Sequence, residues 1–132
     1  MTRIADSGLL IALIDRLDSH HAWAVGIIEV EEPPFFVCEP VCAEVAAVLG
    51  TAAPLLQMLQ RGDLRLAFSL ENEVSAIQKL TWKYRDQPMD LADACVVRMS
   101  ELYPVCQVFT VDRKDFTVYR RSGNKTIPCR FP

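Results

Sequence analysis

The sequence lacks the excess of basic residues that a general nucleic-acid-binding protein carries. It has 14 lysines and arginines against 17 acidic residues, which leaves a formal net charge of −3. This balance argues against a protein that covers nucleic acid with a broadly basic surface. Residues 113–132 differ from the rest, because they include six basic residues and one acidic residue. This segment is either a local phosphate-contacting edge or an ordinary solvated surface. The first interpretation gives four candidate contact residues: Arg113, Lys114, Arg120 and Arg121.

Histidines and paired cysteine motifs are also scarce. The two histidines, His20 and His21, are adjacent and would diverge on a helix. Cys38 and Cys42 form at most half of a zinc motif, and the total of five cysteines is odd. These features disfavour a zinc site and a disulfide framework, and they suit small buried thiols in a reducing compartment.

The sequence contains no long apolar run. None approaches the roughly 18 residues that a membrane-spanning helix needs, and the first residues do not have the layout of a signal peptide. We therefore expect a cytoplasmic protein with no membrane partner.

What the sequence does contain is enough apolar material for a folded core. The chain has 132 residues, of which 51% are apolar, and this length fits a single domain, residues 1–132. Apolar runs that end at turn residues or carboxylates predict strands at 2–6, 35–38, 64–68 and 105–111, and an edge strand at 126–129. Because helical segments separate these runs, we expect an α/β fold. It would have a mostly parallel central β-sheet of about five strands with helices on both faces.

Four acidic residues are placed so that they can meet at one edge of that sheet. Asp6 and Asp112 follow predicted strands, while Glu44 and Asp93 lie near the starts of predicted helices. Ligands of such sheets bind outside the carboxyl ends of the strands, so the four acids would converge on one pocket. Two of them also have an ordinary structural interpretation. Asp90 and Asp93 have the spacing of a helix cap and its first turn, and Glu44 could face solvent at the end of its apolar helix.

Four carboxylates in one pocket need a cation. Like charges about 5 Å apart repel by roughly 3 kcal/mol per pair at an effective dielectric constant near 20, and without a counter-charge they take up protons or move apart. Oxygen ligands without histidine or cysteine favour Mg²⁺ or Mn²⁺ over zinc. Such an ion suits phosphodiester hydrolysis, because it orients and acidifies a water and neutralises charge on the phosphate. Ser7 and Thr110 are positioned to support the ligands through their hydroxyl groups.

Four short motifs, in their order and spacing, resemble those of PIN-domain nucleases, and most of all the VapC-type toxins of bacterial and archaeal toxin–antitoxin pairs. The motifs are Asp6-Ser7-Gly8, Pro40-x-x-x-Glu44, Asp90-Leu91-Ala92-Asp93-Ala94 and Thr110-x-Asp112-x-x-Asp115-Phe116. The resemblance extends over essentially the whole chain. It departs from the family pattern at residues 98–100, Arg-Met-Ser, where relatives often carry small alanines.

The resemblance implies a Mg²⁺- or Mn²⁺-dependent endoribonuclease that acts on structured RNA such as tRNA or rRNA. It also implies a homodimer and inhibition by a small antitoxin protein. The acids that it assigns to catalysis and metal binding are Asp6, Glu44, Asp93 and Asp112. The supporting residues are Ser7, Thr110, Asp90 as the helix cap, and Asp115 at the periphery. The four basic candidates, Arg113, Lys114, Arg120 and Arg121, would then contact RNA.

Other functions compete with this interpretation. The main alternative is a catalytically silent PIN fold that binds other proteins, but loss of an acid would be its simplest signature and all four are present. A phosphoacceptor receiver domain needs an acidic pair after the first strand, where this chain has Ser7 and Gly8 after Asp6. Its lysine is also missing, since Lys114 lies in a predicted turn, residues 113–116, after Asp112. A phosphatase with an Asp-x-Asp loop is excluded because the motif is absent.

Overall fold

The computed structural model describes all 132 residues, Met1–Pro132, as an alternation of strands and helices. The strands are β1 (Thr2–Ala5), β2 (Phe35–Val37), β3 (Leu64–Leu66), β4 (Cys106–Phe109), β5 (Arg120–Arg121), β6 (Lys125–Thr126) and β7 (Cys129–Arg130). The helices are α1 (Ser7–Ile14), α2 (His21–Val30), α3 (Glu39–Leu49), α4 (Ala53–Arg61), α5 (Val74–Lys83), α6 (Leu91–Leu102) and α7 (Arg113–Phe116), with a 3₁₀ turn at Glu71–Glu73.

Five strands form one sheet in the order β3-β2-β1-β4-β7, and every neighbouring pair is parallel. The predicted α/β fold with a parallel sheet is confirmed. Successive residues of the central strands, Ile4 with Ala5 and Val108 with Phe109, are fully buried, as expected for strands covered on both faces. The chain moves from β1 to β3 in one direction and then crosses back to β4. Right-handed crossovers therefore place α1 to α4 on one face and α5 and α6 on the other.

The first strand lies where the direction of the chain across the sheet reverses. β1 pairs with β2 on one side and with β4 on the other, and Ala5 is opposite Phe109 in the β1–β4 register. Open α/β sheets bind their ligands in the crevice at the carboxyl ends of the strands beside such a point. A ligand site is therefore expected at the residues that follow β1 and β4.

The core is one cluster of 30 buried residues whose largest fully buried side chains include Tyr119, Phe109 and Phe116. Helix α6 packs against α3, α5, β1 and β4, so most of its circumference is buried. All five cysteines are free, and three of them are buried, as the sequence predicts. None of the helices combines the length and the apolar character needed to span a bilayer.

Two local predictions are wrong in detail. The edge strand predicted at 126–129 begins later, because Thr126 pairs with Arg120 in an antiparallel hairpin and β7 starts only at Cys129. Pro128 lacks an N–H group, and it contributes only its carbonyl, which accepts from the Val108 amide at 2.8 Å. Residues 113–116 form the one-turn helix α7 rather than a simple turn, because the Asp112 side chain caps their amides.

Candidate active site

Asp6 and Asp112 lie at the crevice between β1 and β4. The Asp6 amide donates to the Phe109 carbonyl at 3.0 Å, which extends the β1–β4 pairing by one residue. Thr110, fully buried at the end of β4, donates its hydroxyl to Asp6 Oδ2 at 2.7 Å and accepts from the Asp112 amide at 3.0 Å. One threonine hydroxyl therefore fixes the Asp6 carboxylate and the backbone that carries Asp112.

Gly8 allows this close approach. A Cβ atom at Gly8 would overlap the side chain of Val111, which lies between Thr110 and Asp112. The missing side chain lets the first turn of α1 pack directly against the segment that follows β4. The glycine of the Asp6-Ser7-Gly8 motif therefore has a steric role at the site.

Glu44 reaches the same region from α3. Its side chain is half-buried, and Ser7 Oγ donates to Glu44 Oε1 at 2.7 Å. Since Ser7 follows Asp6 directly, this bond holds the Glu44 carboxylate near Asp6. Glu44 therefore does not simply face solvent at the end of its helix.

Asp93 has both of the roles that its spacing allows. Asp90 and Asp93 form a reciprocal capping box: Asp90 Oδ1 accepts from the Asp93 amide at 2.8 Å, and Asp93 Oδ2 accepts from the Asp90 amide at 3.3 Å. The buried Tyr119 donates its hydroxyl to the same Asp93 Oδ2 at 3.1 Å. A side chain that served only as a cap would not need this second donor from a distant part of the chain.

Burial and the charges of neighbouring acids raise the pKa values of Asp6 and Asp93. Burial raises the pKa of Asp6, which is 5% exposed, to about 6, and the charges of Glu44 and Asp112 add to the effect, while the Thr110 hydroxyl and the Ser7 backbone amide oppose it. Burial also raises the pKa of Asp93 to about 7, and the charges of Asp90 and Asp6 contribute. None of the four candidate acids forms an ion pair with lysine or arginine. The cluster therefore carries negative charge that nothing in the chain neutralises.

The donor set is of the kind that a hard divalent cation prefers. Every candidate ligand is a carboxylate or hydroxyl oxygen, and no histidine or cysteine lies among them. The side chains are not drawn together around one point, since no group of three acidic, histidine or cysteine residues is positioned to hold an ion. By chemistry and charge the residues fit Mg²⁺ or Mn²⁺, and the carboxylates would have to close in to bind it.

Comparison with known proteins identifies the family. No family model matches the chain. The chain is 30% identical over 126 residues to Ribonuclease VapC26 of Mycobacterium tuberculosis (strain ATCC 25618 / H37Rv), across 91% of this chain and 93% of that protein. The chain belongs to the VapC ribonuclease family. The family that the four motifs indicated is confirmed.

The segment where the sequence departs from the VapC pattern packs without difficulty. Met99 and Ser100 are fully buried in α6, and Ser100 donates to the Val97 carbonyl at 2.6 Å. Arg98 is half-buried and forms ion pairs with Glu73 at 3.0 Å and Glu101 at 3.1 Å. The arginine therefore joins α6 to the start of α5.

Three of the four basic candidates use their guanidinium groups inside the chain. Arg113 donates to the Pro132 carbonyl at 3.2 Å and stacks on Phe131. Arg121 donates to the carbonyls of Ser100 and Pro104, close to the end of α6. Arg120 donates to the carbonyls of residues 117–119. Lys114 is exposed and records no such bond, so an RNA-binding role stays a prediction for all four residues.

The sequence did not identify Tyr119 as part of the site, and it assigned Asp115 only a supporting place. Tyr119 lies in a segment with no clear periodicity, so the sequence did not predict that it is buried. The available signal was its hydroxyl group, because a buried tyrosine needs a polar partner. Asp115, predicted at the periphery, is joined to Asp112 through the backbone, because its amide donates to Asp112 Oδ1 at 3.0 Å. Burial and then Asp112 raise the pKa of Asp115.

Proposed function

We propose that this chain is an endoribonuclease that hydrolyses RNA phosphodiester bonds with the help of a divalent cation. Its catalytic acids are Asp6, Glu44, Asp93 and Asp112. The observation that carries the proposal is the group of uncompensated carboxylates in the crevice beside β1, in a chain of the VapC ribonuclease family.

Each proposed catalytic carboxylate has one oxygen held by a donor within the chain. The donors are the Thr110 hydroxyl for Asp6, the Ser7 hydroxyl for Glu44, the Tyr119 hydroxyl for Asp93 and the Asp115 amide for Asp112. Such supporting bonds orient a ligand before the cation arrives. The second oxygen of Glu44 and that of Asp93 accept no hydrogen bond from the protein, which leaves them available.

The four carboxylates would hold Mg²⁺ or Mn²⁺, which when bound supplies an acidified, oriented water and neutralises charge on the scissile phosphate. Carboxylates bind such ions in their ionised form. Because the pKa values of Asp6 and Asp93 are raised to about 6 and about 7, cation binding should release protons and weaken as the pH falls below neutrality.

We propose three binding partners for this chain, and its membership of the family supports them. They are a structured RNA substrate, such as tRNA or rRNA, a small antitoxin protein, and a second copy of the chain in a homodimer. A VapC-type toxin would be inactive while its antitoxin is bound, so activity should be assayed on protein that is free of it.

The test is cleavage of total RNA by the purified chain in Mn²⁺, in Mg²⁺ and in EDTA. We expect cleavage that depends on the cation and is abolished by Asp6→Asn. Glu44→Gln provides a second inactive variant, and Glu29→Gln is its matched control, because Glu29 is an exposed glutamate on α2 away from the crevice.

Two outcomes would contradict the proposal. Cleavage that persists in the Asp6→Asn and Glu44→Gln variants would place the activity elsewhere or in a contaminant. RNA that stays intact with every cation, in a preparation free of other proteins, would favour a silent binding module instead.

A further inference from the structure

We propose that Trp82 and Arg85 form a platform on which an unpaired base of the RNA substrate stacks. The proposal rests on the ribonuclease function and adds a place where the substrate is held outside the acidic crevice. The two residues are called the stacking platform below.

Trp82 is exposed and does not belong to the hydrophobic core. It lies in the last full turn of α5, and 68% of its surface is accessible. The Arg85 guanidinium lies 4.2 Å from the centre of its ring and is held there by a 2.9 Å bond from Arg85 Nη1 to the Trp82 carbonyl. This cation covers one face of the indole. The remaining exposure leaves the indole open to a planar ligand, and bases of single-stranded nucleic acid stack on such aromatic side chains.

The surroundings of the platform are basic. Residues 79–86 include three cations, Lys79, Lys83 and Arg85, and one acid, Asp86. Lys83 Nζ donates to the Gly123 carbonyl at 2.6 Å, which brings the turn between β5 and β6, with the exposed Lys125, beside the end of α5. In a chain with a net charge of −3, this concentration of exposed cations complements the phosphates on either side of a stacked base.

The same segment of chain leads to the acidic site. Tyr84 lies between Trp82 and Arg85 but points inward, and its ring centre is 5.2 Å from that of Tyr119. The Tyr119 hydroxyl bonds to Asp93. A short series of contacts through the interior therefore connects the end of α5 with a proposed catalytic acid.

The composition of this surface favours RNA over a protein partner. Trp82 is the only exposed large apolar side chain between Val74 and Leu91, and the exposed residues that flank it in the chain, Lys79, Lys83 and Arg85, are charged. Protein-docking surfaces have an apolar centre made of several side chains. A single aromatic among cations is instead the combination that single-stranded nucleic acid requires.

The two tryptophans of the chain, Trp23 and Trp82, allow a direct test. Binding is measured in an Asp6→Asn background, so that the probe is not cut. The probe is a 12-nucleotide single-stranded oligoribonucleotide of mixed sequence. We expect it to quench the tryptophan fluorescence of a Trp23→Phe variant, because Trp82 stacks on a base. A Trp82→Phe variant, in which the half-buried Trp23 is the only tryptophan left, should show little quenching.

Affinity for the same probe gives the second readout. Trp82→Ala should weaken binding by roughly tenfold or more, the loss that follows removal of one stacking aromatic. Arg85→Ala should weaken it less and reduce the salt dependence by about one phosphate contact. Val74→Ala is the matched control, because Val74 is an exposed apolar residue (46%) on the same helix but outside the basic surface.

Three outcomes would overturn the platform. The first is unchanged affinity for the probe in Trp82→Ala. The second is absence of probe binding to any variant, because stacking on Trp82 should accept RNA of any sequence. The third is a change of sedimentation coefficient in Trp82→Ala, because Trp82 would then contact a second copy. Cleavage by the unmutated chain is assayed in parallel, and its absence would contradict the ribonuclease function instead.

Discussion

The same four-residue pattern, Asp-x-x-Asp, opens two helices of this protein, and the two copies differ in which aspartate belongs to the proposed site. Asp90 and Asp93 begin α6, while Asp112 and Asp115 begin α7. In both, the first aspartate caps the helix by accepting from the amide of the second, at 2.8 Å and at 3.0 Å. The cap bond is therefore the same in both pairs, although only the α6 pair is reciprocal.

The surroundings of the two pairs are different. In the α6 pair the second residue, Asp93, is the one held by Tyr119 and affected by the charge of Asp6, while Asp90 is exposed. In the α7 pair the first residue, Asp112, lies beside Asp6, and its amide is bound by Thr110. A capping motif thus places two carboxylates one turn apart, and the packing around it selects the one that faces the crevice.

The largest expected effect separates the two members of each pair by activity. Asp93→Asn and Asp112→Asn should each reduce RNA cleavage by about a hundredfold or more, the scale of losing one preorganised electrostatic group. Asp90→Asn and Asp115→Asn should stay within about tenfold of the parent, because asparagine at position 90 remains a good cap and the Asp115 side chain does not cap a helix. Initial rates on one purified RNA measure all four. Cleavage by Asp93→Asn at the parental rate would remove Asp93 from the site.

An intermediate effect is expected from the bond that distinguishes Asp93 from Asp115. Tyr119→Phe removes only the hydroxyl that holds Asp93 Oδ2 and should weaken Mn²⁺ binding by roughly 10- to 100-fold. Calorimetric titration of Mn²⁺ without RNA measures this affinity. Tyr84→Phe is the matched control, because the Tyr84 hydroxyl accepts from the Arg120 amide and does not touch Asp93. Equal losses in both variants would indicate a general packing effect.

The smallest effect is a pH dependence of stability without metal. The folded-state pKa values of Asp6 and Asp93 are raised from 3.8 to about 6 and about 7. Their contribution to stability is therefore fully present below about pH 4 and is lost as the pH rises through 7. In EDTA, the melting temperature should fall between pH 5 and pH 8, and Asp93→Asn should flatten this fall.

The comparison between the two pairs sharpens this experiment. Asp115→Asn should change the curve less than Asp93→Asn does, because Asp115 is the more solvated carboxyl group. Saturating Mn²⁺ should restore the stability lost at high pH. If the melting temperatures of the parent and of Asp93→Asn fall equally with pH, the pKa of Asp93 is not raised in the folded protein.

The parts of the fold that depend on short-range order were predictable. Continuous apolar runs gave the five parallel strands within a few residues, and the Asp90 spacing gave the α6 cap. The hairpin of β5 and β6 was not foreseen, because two-residue strands carry almost no periodicity. Arg121 shows the same limit: its guanidinium donates to Ser100, 21 residues earlier, and a run of basic residues does not reveal such a partner.

By itself the sequence determined the α/β fold, because strand periodicity and helix caps are set within a few neighbouring residues. Its short motifs also indicated the family and the order of the four proposed catalytic acids along the chain. Only the tertiary structure decided which carboxylate oxygen is held and how far the pKa values of Asp6 and Asp93 are raised. Thr110 reaches Asp6 across 104 residues, and Tyr119 reaches Asp93 across 26. Burial and charge act through space, so they take their values only when the distant strands and helices have come together.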